Sequence, residues 1–372
     1  MGELIKMKQL ECPHDQTLQE DLESIAALPL PWDMLDNSVV LITGATGLIG
    51  SQLVRAILAA NRLHSSKIRI IALVRSRKKA LSVFGDLLER PELEILTGNI
   101  VNPISTDCTI DYIIHTASIT ASKELIARPV DTIEIAVSGT KNVLELAKEK
   151  NCKSVVYLSS MEVYGVIPFS TDHRTTEDEL GYINLSSVRS CYPESKRMCE
   201  NLCVCYAEQY CVPVKIARLA QTFGAGVSLN DSRVFAQFAK AAIAGEDIVL
   251  HTHGRSNGNY CYTADTVAGL LTILLKGENA EAYNVVSENA TMTIAQMAQM
   301  VSEKITGGKS RVIFDIPADA QAYGYAPDTK LRLSGKKLEE LGWFPCIAPD
   351  LMTMYKRLIA SFQAQETLEI SG

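Results

Sequence analysis

A phenol, an ammonium, a hydroxyl and a carboxylate in this chain are spaced so that they could move protons to and from an alcohol. In Tyr192-Pro193-Glu194-Ser195-Lys196 the tyrosine and lysine stand four residues apart, which on a helix puts both side chains on one face. A phenol titrates near 10 and is a poor base at neutral pH, but a neighbouring ammonium favours its ionised form. Ser160 closes the apolar run Val155-Val156-Tyr157-Leu158-Ser159-Ser160. A hydroxyl at the end of a strand can orient a substrate alcohol and stabilise charge on its oxygen. Glu162 comes two residues later, and Met161 between them has no proton to donate. The plainer alternatives are a serine that merely terminates a strand and a glutamate that bonds a loop.

A second motif makes a place for an anion. Val39-Val40-Leu41-Ile42-Thr43 is a short β-rich apolar run, and Gly44-Ala45-Thr46-Gly47-Leu48-Ile49-Gly50 continues it with the spacing G-x-x-G-x-x-G. Next comes SQLVRAILAANRL, with apolar residues at helical intervals. In such a turn the first glycine permits the tight bend, the second lets backbone approach a pyrophosphate, and the third lets helix and strand pack closely. The helix N-terminus adds free N–H groups and a partial positive charge. In this strand–turn–helix context the pattern predicts dinucleotide binding. At the end of the next strand, Leu73-Val74-Arg75-Ser76-Arg77-Lys78-Lys79 has no acid to hold an adenosine 2′-hydroxyl, and four cations cluster instead. Such donors suit a 2′-phosphate. The expected cofactor is NAD or NADP, leaning to NADP, with Arg75 beside the ribose. A cationic oxidised nicotinamide would then join Lys196 in favouring phenolate, and lowering the tyrosine by ~3 units requires about 4 kcal/mol of differential stabilisation.

These groups need a scaffold. Strands are expected at Ile68 to Val74, Leu93 to Thr97, Tyr112 to His115, Ser154 to Ser159 and Val214 to Leu219. Helices are expected at Lys78 to Glu89, Val130 to Lys150 and Tyr192 to Tyr210. Strands alternating with helices imply parallel strands with crossovers, covered on both faces. From about Gly224 the segments become shorter and more mixed, with helices at Phe235 to Ile243, Thr266 to Lys276, Thr293 to Glu303 and Ser334 to Leu341, and an extended piece at Asp247 to His251. The reading is α/β: a Rossmann-type doubly wound parallel sheet (37–223) with a smaller C-terminal α/β substrate domain (224–372). Residues 1–36 form a leader, with a helical stretch from Asp15 to Leu28 broken by Pro29 and Pro31, expected to pack on the surface of the sheet domain. The polar stretch 166–188 is long for a loop and is expected to help cover the site, joining the substrate domain.

Composition bounds the partners. The chain has 372 residues, 47% hydrophobic and 21% charged, which excludes disorder and a fibre. Its net charge of −7 does not supply the basic field that a general nucleic-acid binder needs. No apolar run approaches the ~20 residues of a membrane span, and the N-terminus lacks the pattern of a secretory signal. Ten cysteines occur without a Cys-x-x-Cys pair. They read as reduced thiols of a cytoplasmic protein, with Cys199, Cys203 and Cys205 as small hydrophobes on a helix. His251 and His253 would point the same way on a strand, but two ligands do not make a metal site, and none is expected.

Taken in order, the glycine turn, strand-end serine and tyrosine–lysine helix resemble the extended short-chain dehydrogenase/reductase superfamily, and within it the NAD(P)-dependent nucleotide-sugar epimerase/dehydratase family. The resemblance runs from about Val39 to Pro345. It covers TGATGLIG (43–50), HTAS (115–118), SGTKNVLELA (138–147), SSMEVYG (159–165), YPESK (192–196), ARLAQTFG (217–224), NYCYTADTVAGL (259–270), AYNVVSE (282–288) and LGWFP (341–345). It implies a Rossmann domain with a substrate-binding C-terminal domain. It also implies Tyr192, Lys196 and Ser160 as the catalytic set, Asn99, Ile100, Ala117 and Ser118 along the cofactor, and a homodimer built from the Val130–Lys150 and Tyr192–Tyr210 helices. The departures are Ala136 and Gln221 where members usually carry Asn, and Gly258 where many carry an Arg that grips the nucleotide diphosphate. Arg255 lies nearby and is expected to substitute, so the expected substrate-binding set is Ser160, Gln221 and Arg255.

Glu162 bears on the reaction. Family dehydratases carry Asp-Glu after the serine position; here Met161 replaces the Asp and Glu162 matches the Glu. Family uronate decarboxylases carry a Glu at this place, and simple 4-epimerases generally have no acid there. The mechanism that the resemblance implies begins with Tyr192 taking the proton of a sugar hydroxyl bonded by Ser160, while hydride leaves the same carbon for the nicotinamide and Lys196 bonds the cofactor ribose. The resulting 4-keto sugar turns and is reduced on its other face, or reacts further at C5. The leading expectation is a 4-epimerase of a nucleotide sugar. The alternatives are a nucleotide-uronate decarboxylase or 4,6-dehydratase that uses Glu162, and an NADPH-dependent carbonyl reductase on a non-sugar substrate. The intact Ser160, Tyr192 and Lys196 set argues against a non-catalytic dinucleotide sensor.

Overall fold

Strands whose residues are buried on both faces demand cover on both sides, and the computed structural model, which describes residues 10–167, 173–317 and 330–371, meets that demand with two helical layers. The elements in chain order are α1 (Gln16–Ala27), β1 (Val39–Thr43), α2 (Leu48–His64), β2 (Arg69–Val74), α3 (Arg77–Phe84), β3 (Leu93–Thr97), β4 (Tyr112–His115), α4 (Ser122–Ala127), α5 (Pro129–Lys150), β5 (Ser154–Ser160), α6 (Cys191–Tyr210), β6 (Val214–Leu219) and β7 (Gln221–Phe223). They continue with α7 (Val234–Ala244), β8 (Ile248–Leu250), β9 (Asn257–Tyr262), α8 (Thr263–Lys276), β10 (Ala282–Val285), β11 (Ser287–Thr293), α9 (Ile294–Met300), β12 (Val312–Phe314), α10 (Lys336–Glu339) and α11 (Leu351–Ser371).

Seven strands form one parallel sheet in the order β10-β6-β5-β4-β1-β2-β3. The order reverses at β1, between β4 and β2, and in doubly wound sheets ligands bind at the carboxyl ends beside such a switch point. One face of the sheet packs on α2, α8 and the N- and C-terminal helices, whose core includes Leu22, Ile57, Leu270 and Phe362. The other face packs on α5 and α6 through Val143, Ala147, Cys199 and Cys203. α5 begins with Pro129 in its first turn, where a missing N–H is harmless, and stops at Asn151 in a left-handed conformation (φ +51°). Smaller sheets, β11-β9-β7 and β12-β8, lie in the C-terminal half.

Several elements depart from the sequence reading. β10 lies beyond residue 224 yet adds the seventh strand to the main sheet by pairing with β6. The helix expected over Lys78 to Glu89 breaks at Gly85 (φ +49°) into α3 and a 3-10 turn. The one expected over Thr293 to Glu303 ends as α9 and passes into a π turn at Val301–Ile305. The long α11 has no counterpart among the expected helices. In the leader, residues 1–9 lie outside the described residues. α1 packs on the sheet domain, with Leu18, Leu22, Ile25 and Ala26 on its inner face, and Trp32 and Leu35 beyond it, buried in the main core. Residues 168–172 of the 166–188 loop also lie outside the described residues. The remainder pairs with itself at Val166 and Tyr182 and bridges to the C-terminal half at Thr175 and Leu333.

Candidate active site

The carboxyl ends of the central strands open onto a cleft of about 630 Å³. Its floor is the glycine turn. Gly44 holds φ +64°, and a Cβ there would stand 2.8 Å from the backbone of Ala117. A Cβ on Gly50 would stand 2.4 Å from the Gly44 carbonyl oxygen. Only glycine lets β1, α2 and the segment after β4 approach so closely. Gly47 starts α2 without any side-chain cap, so the first amides of a 17-residue helix face the cleft. Behind the turn, Thr43 Oγ1 lies 2.7 Å from His115 Nδ1, and the Thr116 hydroxyl donates to the Thr43 carbonyl at 2.6 Å. Burial, aided by the Lys196 charge, pulls His115 down to about 3, so this imidazole is a neutral strut.

The second wall is β5 and the start of α6. Ser160, Tyr192 and Lys196 all line the cleft that the glycine turn floors. Lys196 is buried and its Nζ donates to the Leu158 carbonyl at 2.6 Å. Its Nζ also stands 5.7 Å from the centre of the Tyr192 ring. The Ser160 hydroxyl favours the ionised phenol of Tyr192, and it accepts from the Glu162 amide at 3.2 Å. Burial dominates the phenol and pushes it up to about 12, with the Glu162 carboxylate acting in the same direction; the Ser160 hydroxyl and the Arg189 guanidinium act the other way. Burial pulls Lys196 down to about 8. The structure therefore orders the effects differently from the sequence reading: in the protein alone burial outweighs the cations, and Arg189 is the cation that opposes it. Arg189, three residues before the tyrosine, donates to Glu162 at 2.8 Å, and its guanidinium carbon stands 5.7 Å from the Tyr192 ring centre.

The cleft brings together most of the residues singled out by sequence. Thr46, Leu48 and Ile49 line it with the three glycines; Arg75 lines the end beside β2, and Asn99, Ile100, Ala117 and Ser118 line the stretch between. Gln221 lines the far wall. Glu162 and Arg255 are not among its lining residues. Glu162 is turned to Arg189, and Arg255 is exposed on the turn between β8 and β9. The place of the missing arginine is closed as well, because a Cβ on Gly258 would stand 2.4 Å from the Tyr260 ring. Ala136 is buried and its carbonyl accepts from the Cys199 thiol at 3.2 Å. Arg233 is a cation in the cleft wall that sequence reasoning missed. Its guanidinium is held by Asp231 at 2.6 Å, and the run Asp231-Ser232-Arg233 before an apolar helix was its only local signal. Ser76 and Lys79 line the cleft with Arg75, and Ser76 caps α3 by accepting from the Lys79 amide at 3.2 Å.

Among the described residues no group of three His, Cys, Asp or Glu is placed to hold a metal ion, and no helix is long and apolar enough to cross a membrane. All ten cysteines are free.

Comparison with known proteins gives the same frame. UDP-glucuronic acid decarboxylase 6 of Arabidopsis thaliana is 29% identical over 310 residues, 83% of this chain and 84% of that protein. UDP-glucuronic acid decarboxylase 1 of Danio rerio is 27% identical over 313 residues, 84% of this chain and 70% of that protein. The fold is shared with DesIV, a dTDP-glucose 4,6-dehydratase from Streptomyces venezuelae solved with NAD and TYD bound (TM-score 0.70, 22% identity, 89% of this chain and 98% of that one). It is shared equally with the UDP-glucose 4-epimerase of Thermotoga maritima solved with UDP-glucose (TM-score 0.71, 21% identity, 89% of this chain and 99% of that one). The model of the NAD-dependent epimerase/dehydratase family matches residues 40–286, from the first strand to the last strand of the main sheet, and the chain belongs to that family.

Proposed function

We propose that this chain is a nucleotide-sugar enzyme that works through a transient 4-keto sugar, and that its sugar is a uronate, which it decarboxylates. The observation that carries the reading is that Ser160, Tyr192 and Lys196 share one cleft with the glycine turn, while Glu162, paired with Arg189, flanks the same tyrosine. The curated relatives named as UDP-glucuronic acid decarboxylases support the choice of substrate. The donor set fits a dinucleotide: the uncapped start of α2 suits the pyrophosphate, and the wall from Arg75 to Lys196 suits its two ends.

When bound, the nicotinamide accepts a hydride from C4 of the sugar and later returns it. Tyr192 takes the 4-hydroxyl proton, and Ser160 donates a hydrogen bond to the same oxygen. Lys196, anchored on the Leu158 carbonyl, orients the cofactor ribose and holds a positive charge near the phenol. A ketone at C4 makes the C5 carboxylate a β-keto acid. The C5–carboxylate bond then breaks, carbon dioxide leaves, and the electron pair moves to O4, where Tyr192 and Ser160 hold the enolate. A proton returns to C5 with Glu162 governing its delivery, the ketone is reduced, and Tyr192 gives its proton back to O4. The cycle leaves no net redox change. Asn99, Ile100, Ala117 and Ser118 contact the cofactor, and Gln221 the sugar nucleotide.

A 4-epimerase is the second reading, favoured by Glu162 being turned to Arg189 and away from the cleft lining. Incubation with UDP-glucuronate and UDP-glucose separates the two. Release of carbon dioxide with a UDP-pentose product supports decarboxylation. Interconversion of UDP-hexoses with no solvent deuterium at C5 supports epimerisation and overturns the first reading.

The finer points of assembly belong to the same proposal. Arg75, Ser76 and Lys79 favour NADP over NAD. Residues 37–223 carry the cofactor and 224–372 most of the sugar site. The outer faces of α5 and α6, where Val130, Ile133 and Met198 are exposed, pair two copies. Ten free thiols suit the reducing cytoplasm.

A further inference from the structure

Residues 10–36 precede the stretch matched by the family model, yet two buried acids of α1 reach a loop of the cleft. That loop, Gly224-Ala225-Gly226-Val227, joins two pieces of the cleft wall: Gln221 and Thr222 before it, and Arg233 after it. It is tight. A Cβ on Gly224 would stand 2.3 Å from the Tyr262 ring, and Gly226 holds φ +80°. Its polar groups are tied from behind. The Ala225 amide donates to the Tyr262 hydroxyl at 3.2 Å, and that hydroxyl donates to Asp21 Oδ2 at 2.6 Å. Asp21, fully buried on α1, also accepts from Arg357 of α11 at 2.9 Å. The Gly226 amide donates to the Ser361 hydroxyl at 3.0 Å, and Ser361 donates in turn to Asp15, the N-cap of α1. Gln52 of α2 and Gln365 of α11 donate to the Ala225 and Val227 carbonyls at 2.7 and 2.8 Å.

We infer that α1 is a positioning element for the cleft: with α11 it locks the Gly224–Val227 loop through the relays Asp21–Tyr262–Ala225 and Asp15–Ser361–Gly226, and so sets Arg233 in the wall of the dinucleotide cleft. A helix needed only for stability has no reason to direct two buried carboxylates, through one intermediary each, at adjacent amides of one loop. Burying such groups is costly unless each finds a partner. Here one partner of each, Tyr262 for Asp21 and Ser361 for Asp15, leads to the same loop, while Arg357 and the Leu18 amide complete their bonding. The inference rests on the cleft being a dinucleotide site and on nothing about the sugar.

The test uses the full chain with Tyr262→Phe, which keeps the ring and removes the relay hydroxyl, and Ser361→Ala, a milder cut in the second relay. Hydrogen exchange with mass-spectrometric detection reads the 221–233 segment against β5 and α6, and fluorescence titration with NADH and NADPH reads affinity. Each variant is expected to speed exchange at 225–226 about tenfold with β5 and α6 unchanged, and to weaken the preferred dinucleotide about 3- to 10-fold, the loss of one net hydrogen bond. Unchanged exchange in the loop in both variants overturns the inference, and so does faster loop exchange with unchanged affinity. Neither readout uses turnover, so a chain inactive on every uronate tested would count against the proposed reaction and leave this result standing.

Discussion

Tyr192 stands between opposed charges, and that arrangement makes its ionisation the most informative property of the site. Glu162 pushes the phenol up, and Arg189 and Ser160 pull it down. Replacing Glu162 with Gln removes an upward push, so the acid limb of the kcat–pH profile should move to lower pH; Arg189→Gln removes a downward pull and should move it to higher pH. Profiles for both variants check this, and a limb that stays in place in both would mean that another group titrates. Tyr192→Phe should cut kcat about 10²- to 10⁴-fold, the range for a lost general acid–base, with dinucleotide affinity changed less than threefold in a titration. The four-residue spacing makes Lys196 the expected main influence on the phenol. That spacing is legible in the sequence and the electrostatic balance is not, because burial is a property of everything packed around the ring.

At the scale of elements, the β1–turn–α2 unit is the part of the site that local sequence specifies almost completely. Its glycines are required by contacts with their own loop and with the segment after β4. Gly50→Ala should therefore weaken dinucleotide binding at least tenfold and lower the melting temperature, since its Cβ would press on the Gly44 carbonyl; calorimetry and titration with NADH read both effects. The helices that carry chemistry are also legible. α6 shows Tyr192 and Lys196 to the cleft, and its next turn places Glu200 against Arg218 at 2.8 Å. Weak periodicity misleads elsewhere: α3 and α9 are shorter than the apolar spacing suggests.

At the scale of the molecule, the N-terminal and C-terminal helices meet over the sheet, and their junction is titratable. Burial raises Asp21 to about 7, the nearby Asp265 carboxylate adds to the rise, and Arg357 and the Tyr262 hydroxyl oppose it. A carboxyl whose folded value lies above its unfolded one binds its proton more tightly in the folded state. Its contribution to stability is therefore largest below about pH 4 and declines as pH rises towards 7. The unfolding free energy should fall across that window through this group, by an amount on the order of a few kcal/mol, and the slope should flatten in Asp21→Asn. Urea denaturation at pH 5 and pH 8 for both proteins measures it.

Features that depend on neighbours along the chain are legible in the residue order: the strand–turn–helix around Gly44 to Gly50, a tyrosine and a lysine on one helical face, a serine at a strand end, and the α/β alternation. Spacing on a regular element decides which side chains share a face, so these come from short-range order. The rest follows from contacts between distant parts of the chain. Packing, which no local period encodes, brought Arg233 and Lys79 into the cleft wall, left Arg255 outside it, closed the place at Gly258 with the Tyr260 ring, and turned Glu162 towards Arg189. The leader shows the same division: its helix was legible from Asp15 onward, but the burial of Asp21 beside Tyr262 and Arg357 joins residues more than 200 positions apart.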